Sequence, residues 1–365
     1  MAAGSESSAG GPVYAPVTLA GETPDRGPVG VVGVLCSGMG LASRRLAAGE
    51  GRYAGVPRMP APPLLLHSLT EFRDLILSCL EAAEVRVVLE IGSESGAFTS
   101  ELLSFVARRE GELWCVEPYP TLELEELGAS EQRFHLIAGR SPQALEGVEP
   151  CDAYIVDGDH NYWTVSRELD HAFRNREIAR APLVVLHDVS WPCGRRDQYY
   201  APDALPPGAV HPHSWDLGSR PGEKRAGRGG LRGSGAFAIA LEEGGERNGV
   251  RTAVEDFVGG REDLRFVHVP SVFGVGFVYS RSASYAQALA ALLDPLDGNP
   301  LLERLERNRV DLYAKVMELL DAASDAGLRQ GRLIAEYDRS LTAAEQEAAA
   351  LRLELAKMRE SGKAP

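Results

Sequence analysis

The chain has 365 residues, an apolar content of 44% and a formal net charge of -14. This length and composition are typical of a globular protein with one main domain plus extensions, and they exclude a fibrous protein. The acidic balance disfavours binding to nucleic acid or to an anionic membrane, because both need Lys and Arg to neutralise phosphates. We therefore expect a small-molecule substrate.

No apolar run reaches the ~18 residues of a membrane span, and the N-terminus lacks a basic region followed by an apolar one. These absences predict a cytoplasmic protein. The five cysteines show no C-x-x-C spacing, and three of them lie in or beside apolar segments, so we expect reduced thiols that behave as small hydrophobic residues. They are Cys36, Cys79, Cys115, Cys151 and Cys193.

The N-terminal 60 residues are rich in Gly, Ala, Pro and Ser and predict an irregular arm, in which Val29–Leu35 could add a short strand. The main domain is expected over 61–282. Ser68 and Glu71 have the spacing of a capping box, and the apolar residues from Leu69 to Leu80 then fall on one helical face.

Beyond that helix, strand-like and helix-like segments alternate along the chain. Such alternation predicts an α/β fold with a doubly wound, mostly parallel sheet. The last two strand-like runs are joined too closely for a parallel crossover, so they predict an antiparallel pair at one edge of a seven-stranded sheet. The predicted strands are 86–91, 113–117, 133–137, 152–157, 182–187, 264–269 and 272–279, and the predicted helices are 96–109, 163–179 and 249–259.

Two further regions lie outside this pattern. Residues 190–248 form a long insertion that is dense in Gly, Pro, Arg and aromatic residues, and insertions of this length are commonly lids or binding segments. We interpret it as a substrate cover. Residues 283–365 predict a helical extension, in which apolar residues from Leu333 to Met358 are spaced alternately four and three. This heptad stripe fits either a dimeric coiled coil or a helix that packs on its own domain.

The most informative motif is Val88–Gly96, in which an apolar run reaches Glu90 and is followed by Gly92 and Gly96. A strand that enters a helix through glycines predicts a nucleotide-like ligand at the carboxyl end of the strand. A dinucleotide motif would have a middle glycine where this chain has Glu94. Carboxylates repel a pyrophosphate but suit the sulfonium and ammonium groups of S-adenosylmethionine, so the motif favours this methyl donor, with Ser93 and Glu94 near its amino-acid end.

Other residues extend the predicted donor site. Glu117 ends the next apolar run, where its carboxylate can accept both ribose hydroxyls, although NAD-binding folds share this feature. Ser141 follows the third strand, and it could contact the adenine or cap the helix that begins at Pro142.

The strongest polar constellation is Asp157-Gly158-Asp159-His160, with His187-Asp188 at the end of the neighbouring strand. Adjacent strand ends face the same crevice. Asp157, His187 and Asp188 could hold Mg²⁺ or Mn²⁺, and His160 could act as the general base, with His213 in reserve. A rival interpretation is an iron site of His160, His187 and Asp188, which would indicate an oxygenase.

The insertion and its surroundings supply further candidates. Several aromatic residues near the polar motifs could line an acceptor pocket or merely pack the loop. A basic cluster could bind an anionic substrate group or phosphate, but we favour a solvated, mobile loop. The aromatic residues and histidines are Trp163, Trp191, Tyr199, Tyr200, His211, His213 and Trp215, and the basic residues are Arg220, Lys224, Arg225, Arg228 and Arg232.

Together these motifs resemble the class I S-adenosylmethionine-dependent methyltransferases, over roughly residues 65–280. The Asp157–His160 and His187–Asp188 motifs resemble metal-dependent O-methyltransferases of the catechol and macrolide-sugar type. The resemblance implies that Asp157 and the residues at 187 and 188 hold Mg²⁺ and that residue 160 is a Lys or His base. This chain departs from those relatives, because His187 stands where they usually have a carboxylate.

The sequence therefore predicts a methyltransferase that uses S-adenosylmethionine, and a divalent metal, to methylate a hydroxyl of a sugar or aromatic natural product. The segments 191–200 and 249–257 resemble a bacterial subgroup found in secondary metabolism or glycan tailoring. The alternatives are an oxygenase or N-methylating enzyme on the same fold, and a noncatalytic donor-binding scaffold that dimerises through its C-terminal helices.

Overall fold

A computed structural model describes residues 68–360 of the chain, apart from residues 175, 178 and 179. Within these residues the structure contains ten strands and seven α-helices. The strands are β1 Val87–Ile91, β2 Glu112–Glu117, β3 Phe134–Ala138, β4 Ala153–Val156, β5 Leu183–Leu186, β6 Gln198–Tyr199, β7 His213–Ser214, β8 Ala238–Ala240, β9 Leu264–Val269 and β10 Val275–Ser280. The helices are α1 Arg73–Ala82, α2 Ala97–Ala107, α3 Leu122–Ser130, α4 Tyr162–Phe173, α5 Val250–Val258, α6 Ala286–Leu293 and α7 Pro300–Glu360.

Seven of the described strands form the main sheet, in the spatial order β3-β2-β1-β4-β5-β10-β9. Strands β1 to β5 pair in parallel, whereas β10 is antiparallel to both β5 and β9. The predicted fold class is therefore confirmed, including the antiparallel pair at one edge. The order reverses between β1 and β4, and open α/β sheets bind ligands at such a switch point.

Both faces of the sheet are covered by helices. Every residue of β4 and of β5 is buried, as expected for parallel strands with a helical layer on each side. One apolar core joins the sheet to α1, α2 and α6, and the other joins it to α4 and α5. Along β1, Val88 faces the first core and Leu89 faces the second. The alternation places Glu90 on the same face as Val88, towards α2.

The structure differs from the predicted elements in three places. Helix α3 was not predicted, because Leu124 is its single buried residue and leaves almost no apolar periodicity. Helix α4 ends at Phe173, six residues before the predicted end. The last strand begins at Val275 and not at Val272, because Val272 and Phe273 have positive φ angles of 46° and 63°.

The insertion is more regular than its sequence indicates. Strands β6, β8 and β7 form a small antiparallel sheet in that order. Asp197 connects this sheet to the domain, since its fully buried Oδ1 accepts hydrogen bonds from the backbone N–H groups of Tyr162 and Gly249, at 2.8 and 2.6 Å. These groups lie at the start of α4 and immediately before α5, where the N-terminal ends of helices favour negative charge. The start of the insertion is thereby fixed against two helices.

The predicted helical extension divides into two parts. Helix α6 packs against α1, and its Leu289 and Leu293 are fully buried in the first core. Helix α7 has 61 residues, and its side chains from residue 322 to 359 are exposed except at Ala348. None of the described helices combines the length and apolar character needed to cross a membrane.

Some predictions fall partly or wholly outside the described residues. The irregular arm over 1–60, the short strand at Val29–Leu35 and the state of Cys36 all lie there. The four other cysteines are buried free thiols, as expected. Burial raises the pKa of each of these four thiols, which keeps them protonated near neutral pH.

Candidate active site

The turn after β1 lies directly against the end of β4. Gly92 has φ +84°, and a Cβ atom added there would lie 2.3 Å from the carbonyl oxygen of Asp157. Gly96 has φ +75° and forms the N-cap of α2. The backbone conformation therefore requires glycine at both positions, as the sequence predicts. The group that Gly92 approaches closely is the end of the neighbouring strand. The predicted donor turn and the polar motif of β4 are therefore adjacent.

The acid at the end of β2 organises the same turn. Glu117 Oε2 accepts hydrogen bonds from the backbone N–H groups of Ser93 and Glu94, at 3.1 and 3.3 Å, and Oε1 accepts one from Tyr119 at 3.0 Å. The side chain of Glu117 is nearly buried. Oε2 already accepts two hydrogen bonds and Oε1 accepts one, so Oε1 keeps a lone pair that can accept a hydrogen bond from a diol.

Glu90 lies at the predicted turn, but its side chain enters the core. It is buried, and Oε2 accepts a hydrogen bond of 2.7 Å from the hydroxyl of Thr99 on α2. Burial raises the pKa of Glu90 to about 8, although the Thr99 hydrogen bond opposes the shift. The carboxyl group is therefore mostly neutral near pH 7. The prediction that its negative charge selects a cationic ligand needs correction, because the apolar surroundings disfavour that charge.

The two polar motifs meet as expected. Asp157, His160 and Asp188 each offer a ligand atom, and these atoms lie within 4.8 Å of one another. His160 Nδ1 lies 3.4 Å from Asp188 Oδ2, and both residues are largely buried. The ring of His160 reaches this position because it follows β4, whereas Asp188 follows the adjacent β5. The cluster therefore lies at the carboxyl ends of neighbouring parallel strands.

His187 takes a different position from the predicted metal ligand. Its ring is 2% exposed, Nδ1 lies 3.1 Å from Asp157 Oδ1, and Nε2 lies 2.9 Å from the carbonyl oxygen of Val272. Both partners are acceptors, so the ring donates from both nitrogens and is an imidazolium. Burial lowers the pKa of His187, but the carboxylates of Asp157 and Asp188 outweigh this and raise it to about 9. A doubly protonated ring cannot bind a metal.

The remaining residues of the cluster still fit a small divalent cation. Asp188 Oδ1 is buried and has no hydrogen-bond partner among the described residues. Burying an unpaired carboxylate oxygen is costly, so this atom needs a cation or a donor. Asp157 and Asp188 supply the hard oxygen atoms that Mg²⁺ prefers. The candidate metal set is therefore Asp157 and Asp188, with His160 beside them and His187 excluded.

The predicted adenine contact also has an unexpected partner. Ser141 Oγ forms a short hydrogen bond with Glu168 Oε1 on α4. Burial raises the pKa of Glu168 to about 8, so its carboxyl group is mostly neutral near pH 7 and can share a proton with the hydroxyl. The Ser141 side chain is thus held by the core, and it caps no helix.

Sequence analysis missed an exposed aromatic residue beside Glu117. Tyr119 is 73% exposed, and the guanidinium of Arg140 lies 5.4 Å from its ring centroid and bonds to its hydroxyl. An exposed ring beside an acid that can bind ribose is suited to stack on a nucleobase. The signal in the sequence is the aromatic residue between two prolines just after Glu117.

The insertion contributes one aromatic residue to the cluster. The rings of Tyr200 and His160 lie 6.2 Å apart, and Phe237 packs 6.1 Å from Tyr200 on its other side. His213, the reserve base, lies on β7, where Nδ1 is 3.1 Å from the carbonyl oxygen of His211 and the ring contacts Tyr199. No contact among the described residues joins His213 to the Asp157 cluster.

The other predicted aromatic residues lie elsewhere. Trp163 stacks with Arg167 on the outer face of α4, and Trp191 packs 5.8 Å from Phe273. Trp215 is 37% exposed. These positions fit packing rather than contact with a substrate at the cluster.

Members of the basic cluster pair with acidic groups, which differs from a freely solvated loop. Arg225 forms an ion pair of 2.9 Å with Glu242. Arg232 forms a bidentate ion pair with Asp321 of α7. The Arg232–Asp321 pair connects the insertion to the long helix.

Comparison with known families agrees with this geometry. Residues 89–189 match a family model described as a methyltransferase domain, and this span includes the turn after β1, Glu117 and both polar motifs. The matched segment is similar to a methyltransferase domain, which agrees with the predicted enzyme class. No curated protein matches the chain.

Solved O-methyltransferase structures are similar to the chain at low identity. One is described as a putative O-methyltransferase from Klebsiella pneumoniae, with 18% identity, TM-score 0.33 and coverage of 60% of this chain and 83% of that one. Another is a putative caffeoyl-CoA O-methyltransferase from Staphylococcus aureus, with 15% identity, TM-score 0.36 and coverage of 60% and 85%. A third, from Bacillus cereus in complex with SAH, has 14% identity, TM-score 0.34 and coverage of 60% and 84%.

The raised pKa of Glu90 predicts a pH-dependent loss of stability. Between its ordinary pKa of 4.5 and the folded value of about 8, the folded protein holds a proton that the unfolded chain releases. Stability therefore falls as pH rises through this window. Glu90→Gln removes the loss and is expected to raise Tm at pH 8 by roughly 5 °C, or about 2 kcal/mol, with little change near pH 4.5.

Differential scanning calorimetry at several pH values measures this effect. Glu126→Gln on the exposed side of α3 is the matched control, and it should leave the pH profile unchanged. A Glu90→Gln profile parallel to that of the wild type would show that Glu90 is ionised in the folded protein.

Proposed function

We propose that this chain, whose residues 89–189 match a family model described as a methyltransferase domain, transfers a methyl group from S-adenosylmethionine to a hydroxyl of a small molecule. The acceptor class that we propose is a sugar or an aromatic natural product. The observation that carries the proposal is the contact of the turn after β1 with the end of β4. It puts the donor turn beside a His160–Asp188 pair that is suited to remove a hydroxyl proton.

Donor binding rests on the ends of β1 and β2. Glu117 Oε1 would accept a hydrogen bond from a ribose hydroxyl with the lone pair that its backbone donors leave open. Tyr119 would stack on the adenine, and the turn through Ser93 and Glu94 would meet the amino-acid end. Gly92 keeps the turn pressed against the end of β4, so the sulfonium methyl would point towards the cluster.

The chemistry rests on His160. Asp188 Oδ2 lies 3.4 Å from Nδ1, where the carboxylate would favour the tautomer with its proton on Nδ1 and leave Nε2 as an acceptor. Nε2 then removes the proton of the acceptor hydroxyl. As the new oxygen–carbon bond forms, the carbon–sulfur bond of the donor breaks, and its electron pair stays on sulfur. Holding both substrates in line supplies much of the rate gain.

We propose that Asp157 and Asp188 hold Mg²⁺ or Mn²⁺ beside His160. The partnerless Oδ1 of Asp188 supports this assignment. Bound there, the cation would make the acceptor hydroxyl easier to deprotonate. The His187 imidazolium supplies a positive charge beside Asp157, so the cluster needs only one further cation for its two carboxylates.

The alternatives differ in what supports them. The oxygenase interpretation loses support, because both nitrogens of His187 are occupied and the triad would lack one histidine ligand. N-methylation and a noncatalytic donor-binding scaffold remain open. An amine acceptor would need no base once neutral, whereas His160 and Asp188 favour a hydroxyl.

The insertion is proposed to cover the acceptor. Tyr200 and Phe237 form an aromatic wall beside His160, which suits the face of a sugar or an aromatic ring. A cytoplasmic location and the lack of a nucleic-acid partner stay predictions.

Removing the proposed base tests the mechanism. We expect His160→Ala to lower kcat by about 10²- to 10⁴-fold, because it removes the acceptor for the hydroxyl proton. The affinity for S-adenosylhomocysteine should remain within about twofold, since Glu117 and the turn after β1 are unchanged. Turnover is measured as release of S-adenosylhomocysteine with a panel of phenols and sugars, and affinity by calorimetry.

His213→Ala is the matched control and should retain full turnover. Loss of turnover in His213→Ala but not in His160→Ala would show that the general base is His213 of the insertion. If NADH bound and S-adenosylhomocysteine did not, the proposed donor would be wrong. Donor binding without turnover on any acceptor would favour the scaffold alternative.

Removing the cation tests the metal assignment. EDTA is expected to lower turnover at least about 10-fold, and Mg²⁺ should restore it. Asp188→Asn should abolish calorimetric Mg²⁺ binding, whereas Asp203→Asn in the exposed part of the insertion should bind Mg²⁺ like the wild type. Unchanged turnover in EDTA would show that the reaction needs no metal ion. The His187 imidazolium would then be the cation of the cluster.

We also propose that the chain self-associates through the distal part of α7. Leu333, Tyr337 and Leu341 are 55%, 75% and 60% exposed, and Leu351 and Leu355 continue the same stripe at 54% and 55%. In a coiled coil, exposed heptad stripes of two helices pack together and bury each other. Light scattering should give a dimer mass for the wild type and a monomer mass for Leu341→Glu/Leu351→Glu. A monomeric wild type at micromolar concentration would exclude the coiled coil.

A further inference from the structure

The loop between β9 and β10 connects the long helix to the catalytic cluster. Its residues Val272 and Phe273 have φ angles of +46° and +63°. This left-handed conformation is strained for an L-residue, most of all for a β-branched one, so it persists only where the surroundings stabilise it. Contacts on both sides of the loop stabilise this conformation.

The first contact comes from α7. Glu306 lies in its second turn, and its carboxylate accepts hydrogen bonds from the backbone N–H of Val272 at 3.0 Å and of Phe273 at 2.8 Å. Arg309 forms a bidentate ion pair with the same carboxylate, at 2.6 and 2.7 Å. Glu306 is 9% exposed. These four hydrogen bonds fix the orientation of the Glu306 carboxylate, and the carboxylate in turn fixes the orientation of the loop.

The second contact reaches the cluster. The carbonyl oxygen of Val272 accepts the hydrogen bond from His187 Nε2 at 2.9 Å, and His187 Nδ1 donates to Asp157 Oδ1 at 3.1 Å. A continuous chain of hydrogen bonds therefore runs from Glu306 through the Val272 peptide and His187 to Asp157. No other partner of His187 Nε2 is present in the described part of the chain.

The ring of Phe273 holds the loop in place from its other side. It packs 5.8 Å from Trp191 of the insertion and 6.3 Å from Tyr313 of α7, and the guanidinium of Arg309 lies 4.7 Å from its centroid. The backbone N–H of Ser190, two residues beyond Asp188, donates to the Phe273 carbonyl at 2.7 Å. The loop therefore contacts α7, the insertion and the segment after β5 that carries Asp188.

We propose that Glu306 is a positioning residue for methyl transfer, which sets the orientation of His187 and Asp157 through the Val272 peptide. The inference rests on the proposed function for its effect on turnover. The first turns of α7 are thereby part of the catalytic apparatus, although they touch no reacting atom. Without the Glu306 acceptors, Phe273 relaxes towards negative φ, and this rotation turns the Val272 carbonyl away from His187.

Glu306→Gln is the first test, because it keeps the size of the side chain and replaces one acceptor oxygen with a donor. We expect kcat to fall about 10- to 100-fold, while the affinity for S-adenosylhomocysteine stays unchanged. Glu303→Gln, one turn earlier on the same helix and exposed, is the matched control and should behave like the wild type.

The readout that separates positioning from a general structural effect is the ¹⁵N NMR spectrum of the histidine side chains. His187 should give two protected N–H signals in the wild type and in Glu303→Gln, and its Nε2–H signal should shift or exchange rapidly in Glu306→Gln. Assignment uses His187→Gln. If Glu306→Gln does not fold, Glu306→Asp, which shortens the side chain by one methylene, is expected to give the same changes.

Unchanged His187 signals in a folded Glu306 variant would overturn the proposal, whatever its turnover. Altered His187 signals with unchanged kcat would overturn the positioning role. If the wild type itself transfers no methyl group, the proposed function fails, and the His187 signals still decide whether the hydrogen-bond chain exists.

Discussion

The contact between Gly92 and the carbonyl oxygen of Asp157 is the constraint on which the rest of the site depends. Two parallel strands end at the same level of the sheet, and the turn after one of them occupies the space that a side chain would need. The order of the sheet reverses here, so helices leave to opposite faces and a crevice opens. The turn after β1 and the acid–histidine cluster are therefore parts of one surface, because the backbone holds the two strand ends together.

Charge within this surface is balanced mostly by the protein itself. Two carboxylates, Asp157 and Asp188, lie within a few ångströms in a poorly hydrated site. The His187 imidazolium neutralises one of them, and Glu90 avoids adding a third charge because burial keeps it protonated. Within the group of Asp157, His187 and Asp188, this leaves a single net negative charge, which can attract a metal ion or a sulfonium.

Much of the fold and part of the site follow from local sequence. Apolar runs that end in polar residues predicted every parallel strand of the sheet, and with them the meeting of Asp157, His160 and Asp188. The role of His187 was not predictable, because its second partner is a carbonyl 85 residues later in the chain. The same holds for Glu306, whose partners lie 33 and 34 residues earlier. Side chains in a loop with positive φ at Val272 leave no periodic signal, and the strand prediction failed there.

The length of α7 has a consequence for how the enzyme communicates. A helix of 61 residues spans about 90 Å, several times the width of the sheet. A group bound at the far end of α7 would be too distant to touch a substrate. It could act on the site only by rotating or shifting the helix as a whole. Near the start of α7, Glu306 is hydrogen-bonded to the Val272–Phe273 segment, so a tilt of the helix would reach the His187 ring through that segment.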